Sequence, residues 1–260
     1  MRKIKGLYQK YLIVFWTIIG IGGVFFLWWF ISFLAKTTLF PGPEIVIPIF
    51  VAHLGEAETC VAIGGTLLRL VIAIALGSIF GIILGIISGL NPAFRAFIRP
   101  LIVVFRTIPT AAVIYVVIAL LKPMFAPVII VFLVAFPILY DSVVTGITNV
   151  DKSIVDALRI DGTKTFRAVT RIYLPLSWSY IVLGFVSSIG LGMKVSIMSE
   201  ILAGSDSAAG LGQLIRDAST IADMKNVLAY SMFALIIIGL IDIAMHLIKK
   251  KIKQSVATNN

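Results

Sequence analysis

Apolar and polar positions alternate along the chain in long blocks, with apolar runs over roughly residues 11–35, 61–90, 101–121, 126–148, 180–203 and 227–248 separated by short charged or proline-containing segments. A bilayer core about 30 Å thick needs roughly 20 apolar residues of helix, because a backbone in lipid must satisfy its hydrogen bonds within its own segment. The pattern predicts an all-α, polytopic membrane protein with about six transmembrane helices. The start, Met1-Arg-Lys-Ile-Lys5, looks like the charged end of a signal peptide. The run behind it is too long and lacks a small-residue cleavage site, so it reads as an uncleaved first helix. Between Lys36 and Cys60 the segment containing Phe40-Pro-Gly-Pro-Glu44 leaves room for a short interfacial helix. The organisation expected is a peripheral helix and outer loop over 1–59, a core over 60–250 and a basic tail over 251–260.

Composition agrees with lipid as the main solvent. The 260 residues are 60% hydrophobic and 13% charged, with mean hydropathy +1.07, against about 25% charged residues in an ordinary soluble domain. A net charge of +10 raises the question of nucleic acid, but the cations lie between the apolar runs. Placing the N-terminus inside puts 16 of the 22 Lys and Arg residues on one side, as the retention of positive charge in cytoplasmic loops requires. Both termini are therefore expected in the cytoplasm, and no basic stripe is left for nucleic acid. One cysteine, Cys60, excludes an intrachain disulfide. His53 and His246 at opposite ends leave no metal cluster and no Ser/His/Asp set, so neither a metal nor catalytic residues are expected.

Two features inside the spans bear on packing. Gly77, Gly81, Gly85 and Gly89 recur every fourth residue, leaving one helix face nearly bare for close approach of another helix. Pro109 and Pro137 each remove an amide donor and are expected to kink their helices. Between the fourth and fifth runs, residues 149–179 are charged. Ile154, Val155 and Leu158, then Phe166, Val169 and Ile172, mark two short amphipathic helices with Gly162 at the turn between them. Pro175 leads into the next span. Such a projecting helix suits insertion into a partner's groove.

Asp156-Ala157, Gly162, Phe166, Ile172 and Leu174-Pro175 resemble the EAA loop of binding-protein-dependent ATP-binding-cassette (ABC) importer permeases. In that family an acidic-Ala-Ala run, a glycine and a later Ile-x-Leu-Pro recur; here Asp156 replaces the usual Glu and Leu158 the second Ala. Gly65-Thr-Leu-Leu-Arg69, Arg106-Thr-Ile-Pro109, Phe136-Pro137 with Asp141, Met193-Lys194-Val195 with Glu200, and Gly210-Leu-Gly212 are similar to the branch that includes sulfonate, taurine, nitrate and thiamine-precursor permeases. Met193 stands where that branch often has Trp, and Asp141 where it often has Asn. The resemblance implies a type I importer fold in which the loop is a coupling helix, with Asp156, Ala157, Leu158, Gly162, Phe166 and Pro175 engaging an ATPase and Asp156 and Gly162 capping the helix. It further implies two cytoplasmic ATPase subunits that bind ATP and Mg, a second permease copy, a solute-binding protein outside the cell membrane, and no cofactor on this chain. No G-x-x-x-x-G-K-[ST] loop is present; Gly162-Thr-Lys-Thr165 lacks the leading glycine.

Charges within the runs cost roughly 2.5–3.5 kcal/mol each near the bilayer centre on insertion scales, and they mark pathways or buried pairs. Arg69, Asp141, Lys194 and Glu200 are the candidates for a translocation path. Lys194 would suit an anionic cargo such as a sulfonate or nitrate; the alternative is an ion pair between helices. Lys194 and Glu200, six residues apart, point about 120° from a common face, so each is expected to pair elsewhere. Asp141 has Arg106 within reach in this topology. An ion-coupled carrier is the rival function, although no internal repeat is visible.

Overall fold

The computed structural model describes residues 2–35, 37, 39–162, 165–204 and 209–258, with the side chains of residues 2–11, 13, 14, 159 and 251–258 left aside. The expectations for Lys36, Lys164 and Asp206, and for the end of the tail, lie outside the described residues. The long helices are α1 (Arg2–Ala35), α3 (Ala57–Leu90), α6 (Ala126–Thr148), α9 (Leu174–Ala203) and α11 (Met224–Thr258). Between them lie α2 (Pro43–His53), α4 (Pro92–Thr107), α5 (Thr110–Leu120), α7 (Lys152–Ile160), α8 (Thr165–Ala168) and α10 (Leu211–Thr220). Among the described residues five helices are long and apolar enough to cross a membrane, and a sixth span exists if α4 and α5 are taken together.

That pair stands where one continuous span was expected over 101–121, with a break at Pro109 sharper than the expected kink. The chain bends by 96° between α4 and α5, because Pro109 has no amide to continue the helix and holds Ile108 in extended conformation. α4 buries Ile98 and Ile102 on Phe136, Tyr140 and Val144 of α6, while Arg95, Arg99 and Arg106 take its polar side. Pro137, by contrast, sits within α6 without ending it.

The core is a sandwich of α3 and α9 on α6. A Cβ added to Gly77, Gly81, Gly85 or Gly89 would lie 3.3, 2.8, 2.7 and 2.8 Å from the Cβ atoms of Ala135, Leu139, Val143 and Ile147 respectively. Both helices advance four residues per contact, so the bare face of α3 runs along a ridge of α6 from Gly77 to Gly89. This close approach lets two lipid-compatible helices gain dispersion contacts that lipid would not supply.

α1 lies apart. Its described attachments are at one end, where Trp28 Nε1 donates to the Pro41 carbonyl at 3.1 Å and Ser32 Oγ to that of Phe40 at 2.9 Å. α2, the expected interfacial helix, is fixed to α11 by Phe50 on Phe233, with ring centroids 4.4 Å apart. His53 extends that contact. Its ring stacks on Tyr230 and its nitrogens reach Asn226 Oδ1 at 2.8 Å and the Glu56 carboxylate at 2.5 Å.

Candidate translocation groove and coupling loop

The four intramembrane charges fall into two settings. Arg69 and Glu200, on α3 and α9, meet in the interior, 8% and 1% exposed. Arg69 Nε and Nη2 donate to Glu200 Oε1 at 3.0 and 2.7 Å. Oε2 accepts from the Thr66 hydroxyl at 2.8 Å and from the Gly212 amide at 3.0 Å. The Thr66 oxygen in turn accepts from the Leu211 amide at 2.9 Å, and Arg69 Nη2 also donates to the Ala209 carbonyl at 3.0 Å. Glu200 thus accepts at both oxygens, and the first amides of α10, unsatisfied within the helix, are capped by side chains from two other helices. The arrangement is a lock that fixes α10 across the ends of α3 and α9.

Asp141 and Lys194 are open instead. Asp141 on α6 pairs with Arg106 at the end of α4, Nη2 to Oδ2 at 2.6 Å. The pair lines a cavity of about 260 Å³ with Ser142, Thr145, Tyr180 and Ser187. One turn pair further along the same face of α9, Lys194 reaches Asp242 of α11 at 3.7 Å, both about half exposed. Tyr180, Ser187 and Lys194 recur every seventh residue, so one stripe of α9 is polar along about half of its length. That spacing was the signal in the sequence for Tyr180 and Ser187, neither of which was singled out there. Lys194 and Glu200 point apart, as their spacing requires. Arg69 and Glu200 are therefore separated from Asp141 and Lys194: the first pair is bonded inside the chain, while the second pair faces open grooves.

The loop begins as a capped helix, but the cap is not the residue expected. Asp151 precedes α7 and accepts at Oδ1 from the Ser153 amide and hydroxyl, both at 2.9 Å; these bonds favour the carboxylate and hold the Asp151 pKa below its ordinary value. Asp156 lies inside α7 and is exposed, lining a cavity of about 470 Å³ with Val155, Thr148 and Tyr173. Asp161 and Gly162 follow α7, and Gly162 has φ +65°, the left-handed conformation that ends a helix and favours glycine. Ala157 is exposed on α7 and Leu158 is half-buried. Phe166 is 80% exposed, and Ile160, outside the two amphipathic sets read from the sequence, is 88% exposed.

Pro175 does not separate the second loop helix from the fifth span. α8 continues through a wider turn, Val169–Tyr173, in which the Leu174 amide bonds to the Val169 carbonyl, and then into α9. The extra residue in that turn absorbs the missing proline donor. The run Thr165–Ala203 is thus one continuous rod of 39 residues.

The model of the family described as the binding-protein-dependent transport system inner membrane component matches residues 77–257. A protein named as an ABC transporter permease from Brucella melitensis biotype 1 is 26% identical over 228 residues, covering 87% of this chain and 88% of the relative. One named as an aliphatic sulfonates transport permease from Bacillus subtilis strain 168 is 23% identical over 250 residues, 93% of this chain and 83% of the relative. Among solved structures, a chain of the MetNI methionine ABC transporter in an inward-facing conformation superposes with TM-score 0.62 at 17% identity, over 72% of this chain and 93% of that one.

Proposed function

The chain belongs to the binding-protein-dependent transport system inner membrane component family and is a permease subunit of an ATP-driven importer; from that premise we propose how its own residues divide the work. Transport, with ATP hydrolysis on a separate subunit, replaces the ion-coupled carrier as the reading of the intramembrane charges. The family works with an ATPase and a solute-binding protein. In the proposed assembly two copies of this chain face each other, two ATPase subunits bind ATP and Mg beneath them, and both termini of each copy lie in the cytoplasm.

The cargo path is assigned to the polar stripe of α9 with its neighbours on α6 and α4: Tyr180, Ser187 and Lys194, Asp141 and Arg106. The observation that carries this is the open placement of these groups in two cavities that share Ser187, in an otherwise apolar surface where lipid contact would be penalised. Arg106 and Lys194 supply two cations, each beside a carboxylate, Asp141 and Asp242, and a sulfonate as the cargo is supported by the Bacillus relative's name. Ile160, at the end of the helix closed by Gly162, and Phe166, at the start of the next helix, are apolar anchors for the groove of the ATPase. Asp156, Ala157 and Leu158 complete that contact face. Closure of the ATPases moves the coupling loop, and the rod from Thr165 to Ala203 carries the movement to the path.

The test is affinity purification of the tagged chain from native membranes in mild detergent. An ATP-hydrolysing partner is expected to co-purify and to be lost in Gly162→Asp, which places a side chain at φ +65°, while the variant still elutes as a folded membrane protein. Retention of the ATPase by Gly162→Asp and by Phe166→Ala together would refute the docking assignment.

A further inference from the structure

We propose that a second groove, between α9 and α11, holds the headgroup of an anionic phospholipid. The groove shares Ser187 and Lys194 with the stripe assigned above to the cargo path, so the site proposed is its far end, at His246 and Lys249; the choice of the inner leaflet rests on the orientation proposed above. Asp242, His246 and Lys249 share one face of α11 and look across a cavity of about 320 Å³ at Ser187 and Lys194 of α9. Two ammonium groups and an imidazole are thus gathered around one carboxylate. Asp242 lies 3.7 Å from Lys194. Lys249, at the other end of the groove, donates to the Ser187 hydroxyl at 3.2 Å, a neutral acceptor. The Lys249 end therefore has donors in excess of negative charge.

Depth makes that excess informative. The candidate span of α11 ends at Lys250, and helical side chains lean toward the N-terminus of their helix. The Lys249 ammonium is thereby drawn below the level of Lys250 and onto α9, where an uncompensated cation is costly. A phosphate there would accept from Lys249 and from an imidazole N–H of His246. Val186, Leu191 and Met245 line the same groove, an apolar wall that a small soluble anion would leave uncovered and that acyl chains would cover. Basic pockets between helices near the cytoplasmic face suit anionic headgroups for these combined reasons.

The test reconstitutes the full chain in equimolar phosphatidylglycerol and phosphatidylcholine, extracts it in mild detergent and counts retained lipids by native mass spectrometry. The wild type is expected to retain phosphatidylglycerol selectively, with retention falling about fivefold in Lys249→Gln, the ratio that one basic residue near an anionic surface supplies. Retention is expected to persist in Lys250→Gln, and Lys249→Arg guards against misfolding by restoring the charge and the binding. No preference for phosphatidylglycerol in the wild type, or equal losses in Lys249→Gln and Lys250→Gln, would overturn the site in favour of diffuse surface charge. Displacement of the lipid by excess methanesulfonate would overturn it in favour of a soluble anion.

Discussion

Replacing Glu200 by glutamine keeps the side-chain volume but removes the charge that faces Arg69. The carboxylate accepts four hydrogen bonds, from Arg69 Nε and Nη2, Thr66 and the Gly212 amide, all between 2.7 and 3.0 Å. Losing the charge leaves a guanidinium in an interior that water does not reach, and removing one partner of such a buried pair costs about 3–5 kcal/mol. For a domain of this size each kcal/mol lowers the unfolding midpoint by about 2–4 °C, so Glu200→Gln is expected to fall by about 6–20 °C. Arg69→Met should cost a comparable amount through the unpaired carboxylate. The double variant, with neither charge left, should recover part of the loss. The assay is the fraction of protein remaining monodisperse on size exclusion after heating in detergent, compared at one heating rate because unfolding of this kind is governed by rate. If Glu200→Gln shifts the midpoint by less than about 3 °C, or if the two single losses simply add in the double variant, the lock does not stabilise the fold as described.

The remaining expectations concern packing, docking and pH. Gly85→Leu would force α3 from α6, since its Cβ would already sit 2.7 Å from Val143 Cβ; a loss of at least about 1–3 kcal/mol is expected. Gly64→Ala, with open space around it, should leave the yield of monodisperse protein unchanged, and equal damage from both would contradict the zipper. Ile160→Ala and Phe166→Ala should weaken capture of the ATPase without altering the thermal midpoint of the isolated chain, because both side chains project into solvent; a lowered midpoint would instead make them core residues. At His53, burial lowers the pKa, but the hydrogen bonds with Asn226 and Glu56, with the charges of Glu56 and Glu58, outweigh it and hold the pKa above its ordinary value. The contact of α2 with α11 is therefore fully stabilised below about pH 6.5 and weakens as pH rises through the raised value. The midpoint should fall more from pH 6 to pH 9 in the wild type than in His53→Gln, with identical pH profiles as the refuting result.

Much of the fold was legible because it is written in local periodicity. The apolar runs, the four-residue glycine spacing and the short helix before the second span all follow from distances of a turn or two along the chain. Arg69 with Glu200 was not legible as a pair. The residues are 131 positions apart, and the sequence offers several opposite charges of equal rank. Only packing places the α10 amides beside the carboxylate and so withdraws Glu200 from any open path. The break at Pro109 and the continuity at Pro175 show the same limit from another side. A proline removes one donor in both cases; the neighbouring turn decides whether the chain folds back or widens and carries on. Asp151 as the cap of α7 was within reach, since an aspartate directly before a short amphipathic helix is a common start signal.

The continuity through Pro175 has a mechanical consequence. Phe166, at the loop, and Lys194, on the path proposed above, belong to one helical run, and at about 1.5 Å per residue they stand roughly 42 Å apart. A tilt of only about 5° about the loop end would sweep Lys194 sideways by roughly 4 Å, comparable to the width of a small oxyanion. In the proposed assembly, rotation at the loop end is magnified by leverage alone, with no rearrangement of the helix itself. A softer joint at residues 169–173 would dissipate that stroke before it reached the cargo.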